Sequence, residues 1–314
     1  MRIAGIMLLR NEADFVEVNL RYHRSIGIDQ FLVVDNGSTD GTAEILVELA
    51  RSDPSIHVEI DPGPYQQDVV RTRLARAAGA MGADWVVNID GDEFWWTPGG
   101  DLRAVLARTD ASVLRCEVVN LVQRRDVRAR SPQALLTITR RVPGTRGTLE
   151  DARRLVEAGE IAYVEMNHPV NCLARPGPGI IVHGGAHHID GVDGPVIDTP
   201  EIVCLHAGLR AREVLEKKAE HGRRVDELGL PPDISWHVRR WARLAEAGEL
   251  EAEWAANSWR DEGPGVLDLP SGPRPLVVDT RLADAVRPFI TTPPRRSWRS
   301  RATRWFAGRS SGGS

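Results

Sequence analysis

The chain has 314 residues, 42% hydrophobic and 27% charged, enough for one large core or two small ones and ordinary for a globular protein. Its net charge of -4 excludes a wholesale nucleic-acid binder, and no apolar run reaches membrane-spanning length. Cys116, Cys172 and Cys204 have no CxxC spacing, which excludes a disulfide framework or zinc knuckle and points to a reducing, cytoplasmic compartment.

The first 94 residues alternate strand and helix patterns. Residues 2–9 read as a buried strand, broken by Arg10-Asn11-Glu12. Residues 13–26 follow as a helix, with Phe15, Val16, Leu20 and Ile26 apolar and Gly27 ending it. Residues 30–35 form a second strand. The cluster Asn36-Gly37-Ser38-Thr39-Asp40-Gly41-Thr42 then offers turn residues and a cap for the helix through Ile45, Leu46 and Leu49. A third strand over 56–60, an Arg-rich helix over 66–81 and a fourth strand over 84–90 complete the run. Such alternation predicts a mostly parallel sheet with helices on both faces, whose ligands sit outside the carboxyl ends of the strands. The loops at 10–12, 35–40, 61–65 and 90–93 therefore open on one edge.

The fourth strand runs straight into two carboxylates. Trp85, Val86, Val87 and Ile89 suit burial on both faces, and the apolar run stops at Asp90. Gly91 lets the chain turn, and Asp90 and Asp92, two apart, project to one side of extended backbone. Two acids at a buried strand end need a compensating charge. A hard divalent cation, Mg²⁺ or Mn²⁺, bridging to a phosphate is the simplest one.

The strings Met7-Leu8-Leu9-Arg10-Asn11-Glu12, Val33-Val34-Asp35-Asn36-Gly37-Ser38-Thr39-Asp40-Gly41-Thr42 and Asp90-Gly91-Asp92-Glu93-Phe94, in that order, resemble the signatures of family 2-like glycosyltransferases. The resemblance covers residues 1 to about 125 and implies a Rossmann-like GT-A fold, here with a helical C-terminal extension. It implies a nucleotide-diphospho-sugar donor of UDP or GDP type and a carbohydrate or glycoconjugate acceptor. Asp35 falls where the family contacts the base, and Arg10, Asn11 and Glu12 fall beside the nucleoside. Asp90 and Gly91 fall by the ribose, and Asp92 at the metal. Arg71, on the helix before the acidic strand, is a candidate for the diphosphate. Trp95 and Trp96 could floor an acceptor-sugar subsite.

Further on, residues 101–109 read as a helix, 111–122 as a strand and 135–142 as another. The stretch 168–206 is rich in histidine: His168, His183, His187, His188 and His206. The glycosyltransferase branch with a DxDEF-type motif carries a His, a following Arg and a Lys. That resemblance implies His206 near the metal or leaving diphosphate, Arg210 and Lys217 as anion contacts, and His187 or His188 near donor or acceptor. Asp92, Glu93 and His206 form the expected catalytic set, and Asp90, Asp92 and His206 the expected metal set. The base for the acceptor hydroxyl stays open among Glu93, Glu150, Asp151, Asp190 and Asp193. Residues 1–125 read as the nucleotide-sugar half of one domain and 126–208 as its acceptor side. A helical extension over 209–262 follows, then a linker and Arg-rich tail over 263–314. The tail holds six Arg and no acid in its last twenty residues; contact with anionic lipid at the inner face of a membrane and disorder both stay open. The alternative to an enzyme is a non-catalytic nucleotide-sugar-binding or membrane-associated scaffold protein.

Overall fold

The computed structural model describes residues 1–227, 229, 235–261, 265–269 and 271–291. The Arg-rich tail lies outside the described residues. The first half runs β1 (Ile3–Leu9), α1 (Val16–Ser25), β2 (Gln30–Asp35), α2 (Thr42–Ser52), β3 (Ile56–Ile60), α3 (Gln67–Ala80) and β4 (Trp85–Asn88). Next come β5 (Glu93–Trp96), α4 (Leu102–Leu106), β6 (Val113–Val122), β7 (Arg140–Arg141) and α5 (Ala152–Glu157). Then follow β8 (Asn171–Ala174), β9 (Ile181–Val182), β10 (Ile189–Asp190), β11 (Val196–His206) and α6 (Arg212–Glu227). The chain closes with α7 (Trp236–Glu246), α8 (Leu250–Ala256), β12 (Val266–Leu269), β13 (Gly272–Pro275), β14 (Val277–Val278) and α9 (Arg281–Thr291).

One ten-stranded sheet carries the molecule, in the order β14-β7-β6-β8-β4-β1-β2-β3, with β11 paired to both β5 and β6. β4, β1, β2 and β3 are parallel, so their carboxyl ends share an edge. β8 turns the sheet antiparallel between β4 and β6. β1 is buried along its whole length because both faces are covered. Its Ile3, Met7 and Leu9 join Val16 and Leu20 of α1 in one core, while Ala4, Ile6 and Leu8 join Val70, Leu74 and Ala78 of α3 in another. A third cluster, around Leu215, Val238, Trp241, Trp254 and Leu267, makes the C-terminal lobe. Among the described residues no helix is long and apolar enough to cross a membrane.

Three expectations need correction. The stretch 135–142 is a strand only at Arg140–Arg141; Pro132–Thr137 is a 3₁₀ turn, capped by Ser131 Oγ accepting from the Ala134 N–H at 3.3 Å. The helix expected over 235–260 is two helices, broken near Gly248, whose φ is 74°. The stretch expected as a linker after residue 263 holds the β12–β13 hairpin, anchored by Leu267, which is fully buried.

Candidate active site

The loop after β1 delivers Arg10, Asn11 and Glu12. Asn11 adopts a left-handed backbone, φ 58°, and its neighbours hold it there. The Asn11 N–H donates to Ser38 Oγ at 2.8 Å, and the Thr39 N–H donates to Asn11 Oδ1 at 2.8 Å. The Glu12 N–H donates to Thr42 Oγ1 at 2.8 Å. The cluster over 36–42 thus caps α2 and also clamps this loop.

The turn after β4 delivers Asp90, Gly91 and Asp92. Arg71, 1% exposed, ion-pairs with Asp90. Asp92 Oδ2 lies 3.1 Å from Lys218 Nζ and 3.9 Å from His206 Nε2. Burial alone would raise this carboxyl. The Lys218 ammonium, with Arg210 behind it, outweighs burial and holds it well below the usual range. A Cβ at Gly91 would sit 2.5 Å from Glu12 Cγ, so a side chain here would displace Glu12.

β11 lies between β5 and β6, and its register sets His206 beside Glu93 on one side and Asn120 on the other. The Asn120 amide donates to the carbonyls of Val164 at 3.1 Å and Met166 at 3.3 Å, which turns its oxygen to His206. That network assigns the ring proton: Nδ1–H donates to Asn120 Oδ1 at 2.9 Å, and Nε2 offers its lone pair toward Asp92. Burial lowers the His206 pKa and favours this neutral form.

Arg210, 2% exposed, joins the two halves of the site. Its Nε donates to Asp14 Oδ2 at 2.7 Å and its Nη2 to Glu12 Oε2 at 2.5 Å. Burial pushes Glu12 up to about 8 against the pull of Arg210, with Asp92 and Asp14 adding to the rise. Burial also pushes Glu93 up to about 8, aided by Asp90 and Asp92. Glu93 Oε1 accepts from the Asn171 amide at 2.7 Å.

These groups face one cleft of about 750 Å³. Arg10, Asn11, Glu12, Asp90, Gly91 and Asp92 line it, as do Glu93, His187, His206, Arg210 and Lys217. Other expected residues stand elsewhere. Trp95 is a core residue whose Nε1–H donates to the Asn88 carbonyl at 2.8 Å, and Trp96 packs under the Arg281 guanidinium at 5.1 Å. Neither lines the cleft, because β5 is paired to β11 within the sheet. Asp35 is buried beneath its own turn, with Oδ1 accepting from the Ser38 N–H at 3.0 Å; its Oδ2 has no partner among the described residues. Arg71 stands outside the lining and meets the cleft through its ion pair with Asp90. His188, Asp190, Asp193, Glu150 and Asp151 lie outside the lining.

Sequence reasoning missed four residues. Lys218, not Lys217, reaches Asp92; Lys217 pairs with Glu220 at 3.4 Å. The two lysines are adjacent, so only the docking angle of α6 separates them. Asn120 and Asn171 are mid-sheet residues with no local signal. Arg130 ties its own loop to the Asn11 carbonyl at 2.7 Å and to Asp40 at 3.2 Å, a contact across 119 and 90 residues respectively.

The donor set fits a divalent cation. Asp92 supplies a carboxylate oxygen that stays ionised, and His206 a lone pair facing it. A Cβ at Gly208 would stand 2.6 Å from His206 Nε2 and 2.7 Å from its Cε1, so a side chain there would press on the ring and shift it.

Residues 6–159 match the sequence model of glycosyl transferase family 2. This part of the chain is a family 2 glycosyltransferase domain. A glycosyltransferase family 92 protein of Oryza sativa subsp. japonica is 33% identical over 92 residues, 29% of this chain and 16% of that relative. One from Ricinus communis is 29% identical over 93 residues, 30% of this chain and 17% of the relative. The chain thus spans about a sixth of the length of these curated relatives. Among solved structures, S. aureus TarS residues 1–349 align with a TM-score of 0.37 and 15% identity, over 82% of this chain and 71% of that one. A mannosyltransferase from Pyrobaculum calidifontis, in complex with GDP-Man and Mn²⁺, aligns with a TM-score of 0.36 and 18% identity, over 82% and 73%. The family 2 domain covers β1 through α5, and the cleft draws His187, His206, Arg210 and Lys218 from beyond it.

Proposed function

We propose that the protein transfers a sugar from a nucleotide-diphospho-sugar to an acceptor hydroxyl, with inversion and with help from Mn²⁺ or Mg²⁺. The observation that carries this reading is the floor of the cleft. Asp92 is held ionised there, facing Lys218, His206 and Arg210, in the cleft of a family 2 domain. Departure of a nucleoside diphosphate builds negative charge, and fixed cations stabilise that charge without reorganising. Lys218 and Arg210 are such cations. Asp92 and His206 would hold the divalent ion, which when bound supplies Lewis-acid stabilisation of the leaving diphosphate. Glu12 and Asp14 keep Arg210 oriented and charged.

The acceptor hydroxyl must lose a proton during displacement. Of the five acids considered for that role, only Glu93 lines the cleft, and we assign it the role. Its carboxyl, pushed up to about 8, has a proton affinity near neutrality that suits a base.

The test is turnover on a panel of UDP- and GDP-sugars with Mn²⁺ or Mg²⁺, for the wild type and Asp92→Ala. The expected result is release of nucleoside diphosphate by the wild type and a loss of at least about 10²-fold in the variant, with its melting curve retained. A wild type that binds nucleotide sugars and never turns them over would instead be the non-catalytic binder.

A further inference from the structure

The cleft takes His187 and His206, but His183 and His188 stand outside it on the β9–β10 hairpin. β9 and β10 pair antiparallel, and the His183 N–H donates to the His188 carbonyl at 3.1 Å. The two imidazoles therefore leave the hairpin side by side, with ring centroids 5.4 Å apart. Asp190 lies two residues past His188, which in extended chain returns it to the same face. His183 Nε2 lies 2.9 Å from Asp190 Oδ2, and His188 Nε2 lies 2.9 Å from Asp190 Oδ1. One ligand atom from each of the three residues falls within 4.8 Å of the others, and no other such trio occurs among the described residues.

Two imidazole nitrogens and one carboxylate oxygen are donors for Zn²⁺ or another borderline transition cation, and three protein ligands leave a fourth position for water. Mg²⁺ and Ca²⁺ favour all-oxygen shells and are poorly served here. Without a cation, one carboxylate accepts from both rings, which requires a proton on each Nε2. A cation would take the place of both hydrogens, and each neutral ring would then carry its proton on Nδ1 instead.

We propose that His183, His188 and Asp190 form a zinc-class cation site on the hairpin, separate from the catalytic cleft. The same turn carries Gly184, Gly185 and His187, which line the cleft. Gly185 and Ala186 hold left-handed backbone at φ 67° and 57°. The Val182 N–H, donating to Thr72 Oγ1 at 2.9 Å, ties the hairpin to α3. A cation across His183 and His188 staples the turn from outside the cleft lining and restricts the cleft wall.

The test uses the untagged full chain, stripped with chelator and titrated with ZnCl₂ against a chromophoric chelator. Wild type should bind one equivalent more than His183→Ala/His188→Ala, or bind that equivalent at least tenfold more tightly. Asp92→Ala, which removes the cleft ligand, should keep this equivalent. Co²⁺ should give the intense visible bands of a low-coordinate site in Asp92→Ala, and those bands should vanish in the double histidine variant. The side chains are exposed, so far-UV circular dichroism should be unchanged. Equal zinc affinity and stoichiometry in wild type and double variant would overturn the proposal. So would loss of the equivalent in Asp92→Ala alone, or no zinc binding by the wild type.

Discussion

His206 has two ring nitrogens, and Asn120 decides which one carries the proton. The Asn120 amide nitrogen is committed to the carbonyls of Val164 and Met166, so its oxygen can only accept, and Nδ1 of His206 must donate. Removing that oxygen frees the imidazole to rotate and to protonate Nε2 instead. Asn120→Ala should therefore lower turnover about 10- to 100-fold and raise the cation concentration needed for half-maximal rate by a similar factor. It should also cost about 1–3 kcal/mol of stability, because two buried carbonyls lose their donor. A rate titration against Mn²⁺ separates the two effects: a purely structural Asn120 would lower stability and leave the cation dependence unchanged. The role of Asn120 was not legible in the sequence, since its partners lie 44, 46 and 86 residues away. Asp92, Glu12 and Arg10 were legible for the opposite reason. Each follows directly on a buried strand, where the fold itself dictates which edge the chain reaches. Trp95 and Trp96 were misread because the same logic was carried one turn too far, into a strand that re-enters the sheet.

At the level of elements, the position of Lys218 depends on how α6 crosses α7. Gly222 is the contact: a Cβ there would lie 2.1 Å from the Val238 carbonyl oxygen and 2.5 Å from its carbon. Backbone cannot yield as a flexible side chain can. Gly222→Ala should push α6 off α7, cost about 1–3 kcal/mol as an overpacked contact and withdraw Lys218 from Asp92. Thermal unfolding and turnover should fall together. Lys218→Met, which removes the ammonium and leaves the crossing alone, should reduce turnover with little change in melting temperature. The element pattern itself was partly legible. β1 through β4 and their helices follow from apolar runs punctuated by Gly and cap residues, all local signals. The β12–β13 hairpin was hidden by its prolines and glycines. The alternation Val266-Leu267-Asp268-Leu269 was the available cue, with Leu267 turned into the C-terminal core. The 3₁₀ turn at Pro132–Thr137 was lost because Leu135 and Leu136 read equally well as strand.

The whole molecule folds around imidazoles kept neutral by burial, and this sets how it responds to acid. His23 is fully buried in the core beneath β5. Its Nδ1–H faces the Asn19 carbonyl and side-chain oxygens at 2.9 Å, and its Nε2 accepts the Trp95 N–H at 3.1 Å. Burial lowers its pKa from 6.5 to about 3, so between those values the unfolded chain takes a proton that the native protein refuses. The stability tied to this group is complete above pH 6.5 and is lost as pH falls toward 3. At pH 5 the loss from His23 alone is about 2 kcal/mol. Glu12 and Glu93 act with the opposite sign. Their folded values of about 8 mean that the native state holds protons the unfolded chain has released, so stability from them falls as pH rises from 4.5 to 8. The total curve is a sum of opposed slopes, and only a difference isolates one group. His23→Gln cannot take up a proton in either state. It should be less stable than wild type at pH 7, and the gap should narrow by about 2 kcal/mol at pH 5 in urea unfolding. A gap of the same size at both pH values would mean that native His23 protonates as readily as the unfolded chain, which its acceptor bond from Trp95 forbids.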